Sequence, residues 1–301
     1  MLSRAASWPY AWTLITAHRG STMTRETPVL LLHGYWHGAW CWSEVLIRLT
    51  AAGTRALAVD MAGHGLRARR PAWATARPFD LTALTTEPSP ANAGLDEAAG
   101  LFIAQARALG GGTPVTAVAH SMGGNVLTRA VQEAPGLFAH AAYVTAFMPA
   151  SGVPAGAYIF APENEGDLAG ASLVADPVAI GGLRLDTASP DPAYRQQLRD
   201  AFFGDVPADL ADAAIALLTP DAPAGIAAGA TTLTADGWGS VPRTYVVCTQ
   251  DRALQPAMQR KFIQLADTAF PENPTTVHTL GSSHSPFLSM PDQLAGIILK
   301  L

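Results

Sequence analysis

Short runs rich in apolar and β-branched residues, each closed by a polar or glycine-bearing turn, recur along the chain and alternate with longer helix-like stretches. Val29-Leu30-Leu31-Leu32 is the first, ending at His33-Gly34. An apolar run without alternation fits a strand covered on both faces, as in a parallel sheet. Residues 42–52 read as a helix closing at Gly53, a natural C-cap. A second strand follows at Ala56–Val59 and ends at Asp60. The rhythm continues with a helix over 96–109, a strand over 115–119 and a helix over 122–133. A strand follows over 141–147. After a gap come a strand over 244–248, a helix over 256–270, a strand over 276–280 and a last helix from Asp292. Strands alternating with helices predict a mostly parallel central sheet flanked by helices, an α/β fold.

Two stretches break this pattern. Residues 66–94, rich in Pro, Ala and Thr, read as a long loop. Residues 150–240 carry many Ala, Gly, Pro and Asp, with helical pieces over 194–203 and 210–218. Both flanks of that second stretch are needed to finish one sheet. It is therefore expected to be a mainly helical cap on a core made of 26–149 and 241–301, lying over the strand carboxyl ends where active sites gather. Residues 1–25 are set apart. A mildly apolar run after Arg4 has some features of a signal peptide, but Pro9, Tyr10 and the lack of a clean cleavage site speak against one. The preferred reading makes Met23 the true start and the residues before it a dispensable or misassigned extension.

Composition narrows the function. Hydrophobic residues make up 49% and charged residues 14%, enough apolar material for a sizeable core. The net charge of −5, with no long Lys/Arg run, argues against nucleic acid or anionic lipid as partner. No apolar stretch is long enough to span a bilayer. Cys41 and Cys248, far apart in sequence, fit ordinary buried thiols in a reducing compartment, so a cytoplasmic location is expected over a secreted one. No metal-ligand spacing occurs, and neither metal nor cofactor is expected.

The candidate chemistry lies in Ala119-His120-Ser121-Met122-Gly123-Gly124, between a buried strand and a helix. This is the context of a nucleophile elbow, a turn so sharp that the residues two before and two after the serine must be small. Ala119 and Gly123 meet that need, with alanine where the pattern has glycine. A serine hydroxyl needs a base, and His284, in the polar loop after the last strand, is the best placed of eight histidines. His33, His37, His64 and His120 sit near strand ends and are candidates to line the site. His18, His140 and His278 read as surface or core residues. The imidazole needs a carboxylate to fix its tautomer. Asp251, just past the strand over 244–248, is the candidate, and the order Ser121, Asp251, His284 agrees with such a fold. An oxyanion hole is assigned to the N–H groups of Met122 and Tyr35. Trp36, Trp40, Met148, Phe160 and Phe287 are the apolar candidates for a pocket that suits a neutral, hydrophobic ester.

Taken together, His33-Gly-Tyr-Trp-His-Gly-Ala-Trp-Cys-Trp42, the elbow at Ser121, Cys248-Thr-Gln-Asp251 and Ser283-His284-Ser-Pro-Phe-Leu-Ser-Met-Pro291 resemble the methylesterase and hydroxynitrile lyase-like branch of the α/β-hydrolases. That branch includes plant methylesterases and bacterial esterases, some acting on pyrethroid-type esters. The resemblance spans roughly 28–149 and 241–301. It implies an α/β-hydrolase fold, with Ser121 as nucleophile, His284 as base and Asp251 as its partner. It also implies a serine carboxylesterase that takes a small-molecule ester, as monomer or homodimer. The lyases of the branch resemble a pattern with Lys directly after the catalytic histidine and Thr above the serine. This chain has Ser285 and Gly34 there, which favours the esterase. A lyase or perhydrolase using the same triad, and a weakly catalytic ligand receptor, are the alternatives.

Overall fold

The computed structural model describes residues 27–301, so the expected extension over 1–25 lies outside the described residues. Among the described residues eight strands are formed: β1 Val29–Leu32, β2 Ala56–Val59, β3 Val115–Ser121, β4 Phe138–Ala146, β5 Gly182–Arg184, β6 Asp221–Pro223, β7 Arg243–Cys248 and β8 Thr276–Leu280. Six of them make one parallel sheet in the order β2-β1-β3-β4-β7-β8. All four residues of β1 are buried, as a strand covered on both faces requires. The apolar run of β2 has a different setting. It lies at a sheet edge, and Leu57 is exposed.

Alternate residues of the strands face opposite layers. Val29, Leu31, Val118, Ala142, Val144 and Val246 pack against the helices Ser43–Ala51 and Pro291–Ile298. Leu30, Leu32, Ala117, Ala119 and Tyr143 meet the other layer, which includes the helices Leu95–Gly110, Gly123–Glu133 and Pro256–Ala269. The chain leaves β1 toward β2 and then returns to the other side of β1 as β3. The carboxyl ends of β1 and β3 therefore flank a switch point, where loops diverge and a crevice opens.

Two regions differ from a pure loop or a purely helical insertion. The stretch 66–94 contains a helix, Leu81–Thr86, whose first N–H groups are taken by the Asp80 carboxylate. Between β4 and β7 the chain forms several short helices, the longer helices Pro192–Phe202 and Ala208–Leu217, and an antiparallel pair, β5 with β6. That pair was not legible as strands, because each has three residues and Asp221-Ala222-Pro223 reads as turn chemistry. Leu183, Leu198, Phe202 and Ile215 of this insertion join the same core as Tyr35 and Trp36 of the loop after β1. Cys41 and Cys248 are both buried and unbridged.

Candidate active site

Ser121 ends β3, and its φ of 50° lies where L-residues are strained. The turn is possible because two glycines let backbone pass closely. A Cβ on Gly123 would stand 2.4 Å from the His33 carbonyl oxygen, and one on Gly34 would stand 2.4 Å from Ser121 Cβ. Among the described residues, the non-glycine residues with positive φ are Ser121, Trp36 and Thr145, and all three belong to this site. Strain gathered at one place marks a geometry that the surrounding packing enforces.

His284 and Asp251 are brought together across the strand ends of β7 and β8. Nδ1 of His284 lies 2.7 Å from Oδ2 of Asp251, and both residues are buried. The carboxylate is held from every side. Its Oδ1 accepts the N–H groups of Ala253 (2.7 Å) and Leu254 (2.9 Å). Its Oδ2 also accepts the Thr145 hydroxyl and, at 3.4 Å, the Gln259 amide. Thr145 is aimed there by an irregularity in the β3–β4 ladder. His120 pairs with Val144 and Ser121 with Ala146, so Thr145 is skipped. Gln259 is itself clamped, donating to the carbonyls of Leu254 and Cys248 and accepting from the Cys248 N–H.

The loop after β1 crosses in front of the serine. Tyr35 and Met122 are buried beside it, and among the described residues neither N–H donates to a protein acceptor. The insertion fixes this loop at three points. The Tyr35 hydroxyl donates to the Pro223 carbonyl (2.6 Å), the Trp36 indole N–H donates to the Leu183 carbonyl (3.0 Å), and the Thr219 N–H donates to the Trp36 carbonyl (2.6 Å).

Behind these groups lies a bed of buried imidazoles. His120 packs 4.5 Å from the His284 ring, centre to centre, and its Nε2–H donates to the His284 carbonyl at 2.8 Å. Burial, and then the nearby His284 and His37, hold its pKa well below the usual histidine value. Burial likewise lowers His33 to about 4 and His37 and His64 to about 3. Neutral rings here leave room for a positive charge on His284, which a fixed charge beside it would oppose. Among the described residues, no group of three or more His, Cys, Asp or Glu is arranged to hold a metal ion.

Ser121, Met122, Tyr35, Trp36 and His284 share one cavity, completed by Phe147, Ile159, Leu173, Leu183 and Phe202. Four of the pocket candidates lie elsewhere. Phe160 is 90% exposed, and its neighbour Ile159 faces inward instead. Phe287 is fully buried behind the site, where the turn Pro286–Ser289 packs it on Trp42 and His120. Trp40 stacks on His37 and borders a separate surface hollow with Asp60 and Leu66. Met148 is buried in the core and is not among the lining residues. Sequence reasoning did not find Thr145, Gln259 or the role of His120. For His120 the signal was available, since it immediately precedes the serine. His140 and His278 lie on β4 and β8, away from the cavity, and His18 is outside the described residues.

Known proteins resemble this chain in sequence and fold. A family model described as the alpha/beta hydrolase family matches residues 29–297. The chain is 29% identical to "Esterase PIR7B" of Oryza sativa subsp. japonica, over 90% of this chain and 94% of that protein. It is 27% identical to "Methylesterase 9" of Arabidopsis thaliana, over 90% of this chain and 96% of that protein. Among solved structures, a pyrethroid hydrolase from Sphingobium faniae JZ-2 superposes with a TM-score of 0.66 at 22% identity. That match covers 91% of this chain and 96% of that one, a likeness of fold.

Proposed function

The chain belongs to the alpha/beta hydrolase family, and from that premise we propose that it is a serine carboxylesterase acting on a small to medium hydrophobic ester through an acyl-enzyme intermediate. The observation that carries this reading is the meeting, in one cavity, of a serine held at φ 50° and a histidine anchored by a buried carboxylate.

In the proposed reaction, Ser121 Oγ attacks the ester carbonyl while Nε2 of His284 takes its proton. Asp251 accepts from Nδ1–H, which keeps Nε2 free of hydrogen and stabilises the imidazolium once formed. Charge develops on the former carbonyl oxygen, and the N–H groups of Tyr35 and Met122 are the donors assigned to it. Such a donor is worth about 3 kcal/mol of barrier. The imidazolium then protonates the leaving alcohol. Water, deprotonated by the same histidine, attacks the acyl-serine and releases the acid. The insertion over 150–240 acts as the cap. It supplies Ile159, Leu173, Leu183 and Phe202, an apolar wall for a hydrophobic ester.

The lyase alternative is disfavoured by contact as well as by sequence. A Cβ on Gly34 would approach Ser121 Oγ to 3.0 Å, so a threonine there would crowd the nucleophile in this backbone. The test is hydrolysis of a short-chain p-nitrophenyl ester by wild type and Ser121→Ala. Loss of about four orders of magnitude or more in turnover is expected in the variant. Equal rates in both proteins would remove Ser121 from the reaction. Absence of both turnover and serine-directed phosphonate labelling would favour the receptor.

A further inference from the structure

The catalytic cavity is apolar on nearly every side, yet one carboxylate lines it. Asp167 stands among Ile159, Leu173 and Phe202, in the same cavity as Ser121 and His284. No lysine or arginine is among the lining residues, and Asp167 forms no ion pair among the described residues. Its polar neighbour Asn164 is already engaged at both ends. The Asn164 amide N–H donates to the Ile159 carbonyl (3.2 Å), and its oxygen accepts the Gln255 N–H (3.0 Å). Asp167 is less satisfied. Its Oδ1 takes the Gly170 N–H at 2.6 Å, capping the one-turn helix Leu168–Ala171, and Oδ2 retains acceptor capacity.

Asp167 is half-buried, so water and the Gly170 N–H meet its needs only in part, and a donor in the cavity would meet the rest. Aspartate is an ordinary helix cap, as Asp80, Asp176 and Asp191 show; what sets Asp167 apart is that this cap stands in the wall of the cavity that holds Ser121 and His284. Burial raises the Asp167 carboxyl above the usual range, the Gly170 and Ala169 N–H groups pull it down, and repulsion from Asp251 raises it further. A cation entering the cavity would offset both the cost of burial and the repulsion from Asp251, and a neutral hydroxyl donor would offset part of the first.

We propose that Asp167 sets the specificity of this cavity by taking an ammonium or hydroxyl donor carried by an otherwise apolar substrate, and that it turns away carboxylate-bearing esters. The proposal deepens the esterase reading and rests on it for the word substrate. The binding itself needs only the cavity.

The test is calorimetric titration of Ser121→Ala, with and without Asp167→Asn, using n-hexylammonium, n-hexanol and hexanoate as probes. A charge-assisted hydrogen bond corresponds to roughly a tenfold gain or more in affinity. Hexylammonium is therefore expected to bind at least about tenfold tighter than hexanoate in Ser121→Ala. That ratio should fall by about tenfold when Asp167→Asn is added. Asparagine keeps an oxygen for the Gly170 N–H and so preserves the cap. Asp167→Ser, which also caps, gives an independent second variant. Equal affinity for hexylammonium and hexanoate, or a ratio unmoved by both variants, would overturn the proposal and leave Asp167 as a helix cap. Ester hydrolysis by the wild type judges the esterase reading separately, so the failure of one is not mistaken for the failure of the other.

Discussion

The two sides of the cleft are held by different means. On the sheet side, position is fixed by hydrogen bonds to individual atoms, and each oxygen of Asp251 has more than one donor. On the insertion side, Ile159, Leu173, Leu183 and Phe202 meet the cavity through apolar contact. The difference follows from what each side must do. Proton transfer fails when a donor shifts by a fraction of an ångström, whereas an apolar wall works with any side chain that fills the space. The sides meet at the loop after β1, where the insertion bonds to Tyr35 and Trp36. On the proposed mechanism the insertion therefore contributes indirectly, by holding the loop that carries the proposed oxyanion donor Tyr35.

The sharpest way to break this contrast is Asp251→Asn. Two backbone N–H groups on the Oδ1 side require an oxygen there, so the amide NH2 must turn toward His284. Nδ1 of His284 then has to accept rather than donate, and the ring hydrogen moves to Nε2, where the base is needed. Turnover should fall about 10⁴-fold with secondary structure unchanged. Steady-state kinetics and circular dichroism check both halves. A near-normal rate would show that another group orients the imidazole.

The same contrast explains what could be read from the chain alone. Ser121 ends a buried strand, Asp251 follows another, and His284 follows the strand β8, and the carboxyl ends of parallel strands share one rim. Their placement needed only element order. Thr145 and Gln259 act through a skipped position in a ladder and a helix-to-strand clamp, neither of which leaves a mark in residue pattern. Pocket residues were the least legible. Whether Phe160 or Ile159 faces inward is a matter of one residue of turn, and composition favours neither. Phe287 follows His284 closely in sequence, yet the turn that begins at Pro286 sends it against the His120 ring, behind the site.

The insertion side has its own fixed point, on the strand pair whose Leu183 and Pro223 hold the loop after β1. Arg184 and Asp221, both fully buried, form a two-pronged pair at 2.7 Å per prong across β5 and β6. The third guanidinium nitrogen donates to the Leu84 (3.0 Å) and Glu87 (2.9 Å) carbonyls, and Trp73 lies 5.4 Å from the charge. One arginine thus ties the stretch around 73–87 to the insertion. Arg184→Met should cost about 3–5 kcal/mol, because it strands a buried carboxylate and frees two carbonyls. Replacing Asp221 by Leu in the same protein should restore much of that loss. Denaturant midpoints measure both. An unchanged midpoint in the single variant would mean that water reaches Asp221.

A smaller and more selective probe lies where the two sides touch. Tyr35→Phe removes the hydroxyl that donates to the Pro223 carbonyl but leaves the Tyr35 N–H in the backbone. The expected cost is about 1 kcal/mol of stability, the ordinary net worth of one buried hydrogen bond. If the three bonds from the insertion hold the loop redundantly, kcat should change by less than about threefold, since Trp36 keeps its bonds to Leu183 and Thr219. A loss of turnover tenfold or greater with unchanged stability would reverse that conclusion. It would make the Tyr35 hydroxyl the element that aims the oxyanion donor, and place the insertion within the catalytic machinery.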